Sequence, residues 1–498
     1  MSKGLLIWAT LGLTLITSSA HSAGIMETPE TGQARGPMSQ QEIAAFMPAR
    51  GAFTFPAPYG TKGWRLTSAS DCPTGEDCVN YVGYSYWPIT NNHEGSDEML
   101  IFVGLERQRG GPGPSIIRFD KTTETASAPE PIFAKSDARS WQSGNGWYFS
   151  RTKPSTMYYA YERTLSRVDV LTGEQETVID VAAKLGGNYK LIQAHSSADD
   201  TMHSFTLQDG SYNRLGCAVY NETTGLLTRI PALGAYDECQ IDKTGRWLVI
   251  KEQVDGTEGE DNRIIDMATK TEIVLKDTEG AGGHSDMGYG YMIAADNYTN
   301  RANTRRVWRF DESPLEGLEV YSNADWGVQA PAHISHSNAK PGDPSSQYAC
   351  GSSANSKSSI HANEIICFML DGERNVLVVA PVMTNLGASG GTNYYNKLPK
   401  GNLDITGQYF LWTSNLGSNR LDLVMAKVPS QLLTGEPPEP EPEPCPVPEP
   451  CPTCPVPEPC PVCTGIEFTE AEKAKLRDLL REVRTDRRTL RDIENKLK

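Results

Sequence analysis

The reactive side chains of this chain concentrate between Gly282 and Cys367. The run opens with Gly283–His284–Ser285–Asp286 and continues Met287–Gly288–Tyr289–Gly290–Tyr291. Arg301, Arg305 and Arg306 follow, then His333 and His336 in HISHSN, then Cys350, His361 and Cys367. His195 and His203 lie earlier, and His93 earlier still. Tyrosine, histidine and arginine in one window suit proton abstraction beside a carboxylate. The proton α to a uronate carboxylate is very weakly acidic until the negative charge is neutralised. Arginine fits that task because its planar fork matches a carboxylate. Tyrosine or histidine then takes the proton, and tyrosine can return one to the leaving oxygen. Tyr289 and Arg305 are the first pair for this chemistry, with His284 and His195 beside them. A packed aromatic and a solvated surface charge are the plainer fates of the same two residues.

The second chemistry is metal binding. His333 and His336 are three apart, so on a regular strand they face opposite ways and share an ion only in a loop or bulge. Imidazole with thiolate suits zinc, giving His333, His336, Cys350 and Cys367 as one set. The other set is His284, His333 and His336 around a divalent cation, with Cys350–Cys367 a disulfide. Trp141, Trp147, Trp326, Tyr394 and Tyr395 stand in polar contexts where sugar faces stack, although tryptophan is also a routine wedge between sheets. Arg301, Arg306, Trp141 and Tyr394 are the candidate substrate-binding residues.

Something must hold these residues together, and the chain repeats a unit that would. Ser115–Asp120, Ser166–Val170, Cys217–Tyr220, Arg263–Met267, Arg306–Phe310, Glu364–Leu370 and Arg420–Lys427 are short β-rich runs, most followed by a polar turn. Their spacing of roughly 40 to 60 residues is that of propeller blades. Asp242–Lys243–Thr244–Gly245 before Arg246–Ile250, and Asp404–Ile405–Thr406–Gly407 before Gln408–Trp412, are turns feeding buried strands. The expectation is an all-β, seven-bladed β-propeller over residues 24–433, with a large sandwich as the alternative. Residues 24 to about 50 read as a loose entry segment.

The ends differ. Lys3, the apolar run Leu5–Ile16 and small residues to Ala23 read as a secretory signal peptide over 1–23, too short to be a comfortable membrane span. Residues 434–465 are almost wholly Pro, Glu, Cys and Val, a stiff polyproline spacer. Residues 466–498 form a helix with a capping box at Thr469 and Glu472 and a leucine seam that allows self-association. The natural chain is expected to continue beyond Lys498. An exported chain with Cys72, Cys78, Cys217, Cys239, Cys350 and Cys367 in its body favours disulfides. Cys72–Cys78 is the easiest pair; Cys217–Cys239 and Cys350–Cys367 would each link neighbouring strands of one blade. A net charge of −16 and a pI near 5.1 argue against broad nucleic-acid binding.

Over residues 35 to 430 the chain resembles the secreted propeller polysaccharide lyases of marine bacteria, in particular the ulvan lyases of the seven-bladed class. The resemblance rests on the export signal, the seven-unit pattern, the His284–Tyr291 loop, the Arg301–Arg306 segment and the Cys/His group from His333 to Cys367. It implies eliminative cleavage beside a uronic acid of a sulfated algal polysaccharide, and a zinc that serves structure. It implies Tyr289 as base and acid, Arg305 as carboxylate neutraliser and His195 as assistant. A related oligogalacturonate lyase class carries a histidine-rich metal site in a propeller, which His284, His333 and His336 would fit. A non-catalytic carbohydrate-binding propeller, displayed as a scaffold on its spacer, is the remaining alternative.

Overall fold

The structure, a computed structural model, describes residues 24–435 except 75–76, 81–83, 145, 258, 297–303, 314, 323–332, 357 and 389–393. The expected signal peptide, the spacer beyond residue 435, the terminal helix, Arg301 and Trp326 lie outside the described residues.

Seven antiparallel sheets follow one another along the chain and form a seven-bladed β-propeller. The innermost strands of blades 1 to 7 are Thr90–Asn91, Tyr148–Phe149, Lys190–Ser196, Ala235–Ile241, Gly282–Met287, His333–Ser335 and Asn402–Leu403. All seven repeated runs fall on the third strand of a blade. Those strands are paired on both sides, and most of their residues are buried. Several end in an aspartate whose carboxylate caps the next turn: Asp120 accepts from the amides of Thr122 and Thr123, and Asp169 from those of Leu171 and Thr172. The anticipated Asp242 and Asp404 turns form as well. Asp242 accepts from the Trp247 amide at 2.9 Å and Asp404 from the Tyr409 amide at 2.7 Å, with Gly245 and Gly407 at positive φ.

The ring closes by sharing a sheet between the two ends of the domain. Gly51–Thr54 and Lys62–Arg65 pair onto Asp422–Lys427 and so supply the outer strands of blade 7. Fully buried tryptophans wedge neighbouring blades apart at a fixed angle: Trp64 of blade 7 meets Phe119 of blade 1 at 5.3 Å, edge to face.

Two expectations need correction. The entry segment is ordered rather than loose. Ile25–Glu27 adds a fifth strand to blade 6 beside Val376–Val378, and Ala34–Arg35 pairs with Ser359–Ile360. Arg35 holds it there, pairing with Glu27 of the segment at 2.5 Å and with Glu364 of blade 6 at 3.1 Å. The Cys217–Cys239 disulfide forms but joins blade 3 to blade 4, not two strands of one blade. Cys72–Cys78 pairs as expected, and Cys350–Cys367 takes the disulfide and not the metal-ligand reading. Among the described residues no helix is long and apolar enough to cross a membrane.

Candidate functional site

The end of the ring where the innermost strands begin is the upper mouth. There the innermost strands of blades 3, 4 and 5 each carry a bulge: between Ile192 and His195, between Tyr236 and Glu238, and between Gly282 and Ser285. A bulge breaks the two-residue alternation and re-aims a side chain, which is why bulges recur beside active sites. In blade 5 the re-aimed residue is His284. Its ring lies 4.7 Å from that of His333 on blade 6. Tyr84 covers both, at 5.9 Å from His284 and 5.3 Å from His333. The Tyr84 hydroxyl contacts that of Tyr395, which is 39% exposed and opens the cluster to solvent.

His333 is buried, and neither of its ring nitrogens has a hydrogen-bond partner among the described residues. An orphaned buried imidazole costs free energy, so it marks a position for a ligand. Burial, then His284, Lys400 and Arg305, hold its pKa well below the ordinary value, so the ring is neutral and its lone pair available. Lys400 is buried beside it. Its ammonium lies 3.7 Å over the Tyr395 ring and 2.5 Å from the Tyr395 carbonyl, and burial brings its pKa down to about 7. Arg305 completes this set of cations. It is 1% exposed, and burial, partly opposed by Tyr321, lowers its pKa to about 10.

Below this layer lies a second. Tyr86 stacks on Tyr84 at 5.1 Å and donates to Glu238 at 2.7 Å. Lys251 and Gln240 also donate to Glu238, at 2.7 and 3.0 Å. Burial would raise the Glu238 pKa, but Lys251, His195 and Tyr86 together bring it down to about 2. His195 sits beneath Tyr86, against Trp87, and lines a cavity of about 50 Å³ with Arg151, Lys243 and Asp286. Burial depresses its pKa to about 4, and its Nε2 has no partner among the described residues.

The structure does not bring Tyr289 and Arg305 together. Tyr289 occupies the turn that ends the innermost strand of blade 5, at the lower rim. Its groove there includes Arg246, Trp247 and Arg309. Arg305 stands opposite Ala295, whereas Arg309 stands opposite Tyr291. Four residues of strand, about 13 Å at ~3.3 Å each, already separate those two rows, and Tyr289 lies beyond the second. No single monosaccharide spans that length. Tyr289 instead interacts electrostatically with Arg151.

The first metal set is also undone. Cys350 and Cys367 are joined in a disulfide and offer no thiolate. His336 lies past the lower end of the strand that begins at His333. Its Nε2 pairs with the Tyr291 hydroxyl at 2.7 Å and its Nδ1 faces the Tyr348 carbonyl at 3.0 Å, so both nitrogens are engaged away from His284. Of the second set, His284 and His333 alone converge. Arg306 is held by Asp296 and Glu319. Trp141 is exposed under the Arg107 guanidinium, and Trp147 is a buried wedge against Phe102, Phe133 and Tyr159. Tyr394 opens a short helix, Tyr394–Lys397. His203 is fully buried between Ser196 and Glu222. The residues missed by sequence are Tyr84, Tyr86, Glu238, Lys251 and Lys400. The aromatic run Tyr84–Ser85–Tyr86–Trp87 was a visible signal; the single lysines and Glu238 gave none.

The donors fit a divalent cation in part. Two imidazoles face each other, that of His333 neutral with both nitrogens orphaned, but among the described residues no third ligand atom joins them. Among the described residues the group that brings three ligand atoms within 4.8 Å is Asp255, Asp261 and Asp277 on blade 4. Their oxygens already accept from the backbone of Val254, Thr257, Asp277 and Thr278.

No protein-family model and no curated protein sequence matches this chain. Solved structures do match its fold. An oligogalacturonate lyase from Vibrio parahaemolyticus superposes with a TM-score of 0.54 at 12% identity, over 77% of this chain and 97% of its own. An oligogalacturonate lyase in complex with manganese superposes with a TM-score of 0.53 at 14% identity, over 80% of this chain and 99% of its own. At these identities the likeness is one of fold.

Proposed function

We propose that this protein is a lyase that cleaves a uronate-containing anionic polysaccharide by β-elimination at the upper mouth of the propeller. The observation that carries the reading is the pairing of His284 with the orphaned His333, flanked by Arg305 and Lys400 and capped by Tyr84. The fold likeness to two oligogalacturonate lyases supports the same class of reaction.

In this reading the uronate carboxylate enters over His333. Arg305 and Lys400 supply positive charge in a buried setting, where it acts more strongly than in water. A divalent cation held by His284 and His333 would neutralise the same carboxylate and acidify the adjacent carbon. Tyr84 stands in place of Tyr289 as the proton-exchanging phenol, with Tyr395 as its hydrogen-bond partner. Tyr84, as a phenolate, takes the C5 proton, and the C5–H electron pair moves onto the neutralised carboxylate as an enolate. That pair forms the C4–C5 double bond as the C4–O bond breaks, and the leaving oxygen takes the proton from Tyr84. Tyr86, held by Glu238, supports Tyr84 from below.

Ulvan is the first substrate to test, on the strength of the sequence resemblance. Oligogalacturonate is the second, because the histidine pair and the manganese-bound neighbour favour a metal-dependent site. Zinc in a structural role loses its ligand set with the Cys350–Cys367 disulfide. Three disulfides agree with export, which remains part of the proposal. The test is a panel of ulvan, polygalacturonate, oligogalacturonate and alginate, read as ultraviolet absorbance from unsaturated uronyl ends, with and without chelator. Absorbance on one substrate, lost in His333→Ala, is the expected result. Silence across the panel, with and without added manganese, would reject the lyase.

A further inference from the structure

A second groove opens on the upper face, between blades 2 and 3, and the elimination does not use it. It holds about 240 Å³, and Gln142, Tyr161, Lys190, Gln193 and Tyr212 are among its walls. That is below the ~300–1,000 Å³ of a site for a drug-sized ligand, so it suits one sugar unit and not an oligosaccharide. Strand alternation places it. The turns Glu162–Arg163 and Asp209–Asn213 each join the second and third strands of a blade, and Gln142 precedes the innermost strand of blade 2. All three positions are at the end of the ring where the innermost strands begin, the end that carries His284 and His333. The innermost strand of blade 3 reaches both places: Lys190 and Gln193 line the groove, and His195 lies beneath Tyr86.

The backbone of this groove is strained. Among the described residues ten non-glycines have positive φ, and three of them line it: Glu162 at 51°, Gln193 at 52° and Tyr212 at 67°. A left-handed tyrosine is a steric outlier where glycine would sit without strain, and such positions collect at functional sites. Tyr212 is also 63% exposed, yet it is held. The Lys190 ammonium lies 4.0 Å from its ring centre and donates to its hydroxyl at 2.8 Å, while Glu162 pairs with Lys190 at 2.7 Å. The Gln208 amide donates to the Tyr212 carbonyl at 3.3 Å. One face of the phenol is fixed against the protein and the other meets solvent. A ring pinned in this way loses little entropy when the C–H face of a pyranose stacks on it. Amides supply the polar contacts. Gln193 Oε1 accepts from the Thr206 hydroxyl at 2.8 Å, which fixes the side chain and leaves its NH2 to donate. Gln142 stands exposed nearby. An amide donates and accepts at once, as the neighbouring hydroxyls of a sugar require. Lys190 is the one cation among the described lining residues, and its charge already meets Glu162.

We propose that this groove is a subsite for an uncharged pyranose unit of the substrate chain, with Tyr212 as its stacking platform and Gln142 and Gln193 as its hydrogen-bonding groups. Its role rests on the reading of the upper mouth as a uronate lyase site. The acidic unit enters over His333 while a neutral unit further along the same chain seats between blades 2 and 3. The substrate is then a heteropolysaccharide that carries uronate and neutral sugars in one chain, and not a homopolymer of uronate.

Tyr212→Ala is the test, because an exposed side chain at a turn can be removed without opening the core. On the polymer that the native full chain cleaves, KM should rise about tenfold with kcat nearly unchanged, the mark of lost substrate binding. On the shortest fragment of that polymer still cleaved, both constants should stay native. Tyr212→Trp should keep the affinity. An unchanged KM on the polymer overturns the subsite. An equal rise on both lengths does so too, since the ring would then act through the mouth. The second readout needs no turnover. Saturation-transfer NMR with the methyl pyranosides of glucose, galactose and rhamnose should show at least one bound by the native protein and by His333→Ala, and released in Tyr212→Ala. Signals absent for all three, or unaltered in Tyr212→Ala, overturn the subsite. Sodium glucuronate losing more signal than they do in that variant overturns the preference for an uncharged unit. If the native protein cleaves no uronate polymer while a neutral glycoside binds at Tyr212, the lyase reading has failed and the groove stands as a sugar site alone.

Discussion

His284 and His333 face each other across the gap between blades 5 and 6, ring centres 4.7 Å apart, although 49 positions separate them in the chain (333 − 284). The bulge before Ser285 turns the first toward the second, and burial keeps the second neutral. His284→Ala and His333→Ala should each reduce kcat/KM by about 100-fold, the scale of losing one group from a metal-supported site. Circular dichroism and Tm should stay near native, because neither ring anchors a blade. Native turnover in both variants would move the site elsewhere.

Tyr289 and Arg305, apart in space, should part company in function as well. Tyr289→Phe should leave turnover within about twofold of native. Arg305→Ala should lower it by 100-fold or more, about the cost of removing one preorganised charge-stabilising donor. Steady-state kinetics on the same substrate decide the point, and the reverse ranking would restore the lower rim as the catalytic face.

Glu238 ties stability to acid. Its pKa is about 2 when folded, against an ordinary value of 4.5. A carboxylate depressed in this way contributes stability that is fully present above pH 4.5 and is lost as pH falls from 4.5 toward 2. Glu238→Gln removes one partner of a buried pair with Lys251 and should destabilise by about 3–5 kcal/mol at neutral pH. Urea titrations at pH 7 and pH 3 should show the native–variant difference shrinking at the lower pH.

Under the proposed function, Lys400 should give substrate binding an alkaline limit. With a pKa of about 7 it is cationic below neutrality and neutral above. KM for an anionic substrate should therefore rise as pH passes through 7, while Lys400→Arg should flatten that limb. A KM independent of pH from 6 to 9, in the native protein, would remove Lys400 from carboxylate binding.

The Cys217–Cys239 bridge closes a separation of 22 residues between blades 3 and 4. Replacing both cysteines by alanine should cost about 3 kcal/mol through the freed unfolded chain. Differential scanning calorimetry measures it, and a Tm unchanged by the double replacement would mean that blade packing alone fixes this junction.

The sequence by itself determined the ring. Seven β-rich runs at blade spacing, most with a turn signal, were legible because strand alternation and turn chemistry are local properties. Local spacing also paired Cys72 with Cys78, whereas for Cys350 and Cys367 it left a disulfide and a metal set both open, and the structure decides for the disulfide. Tertiary structure decided the site. Tyr289 and Arg305 are only 16 positions apart (305 − 289), yet an intervening strand carries them to opposite rims, whereas Tyr84, His284, His333 and Lys400 meet across four blades. His333 and His336 part for the same reason, since a strand sends neighbours along its axis and not toward one point. Closeness at a propeller mouth depends on the height of a residue along its own innermost strand, and bulges and closure set that height only once the ring is complete.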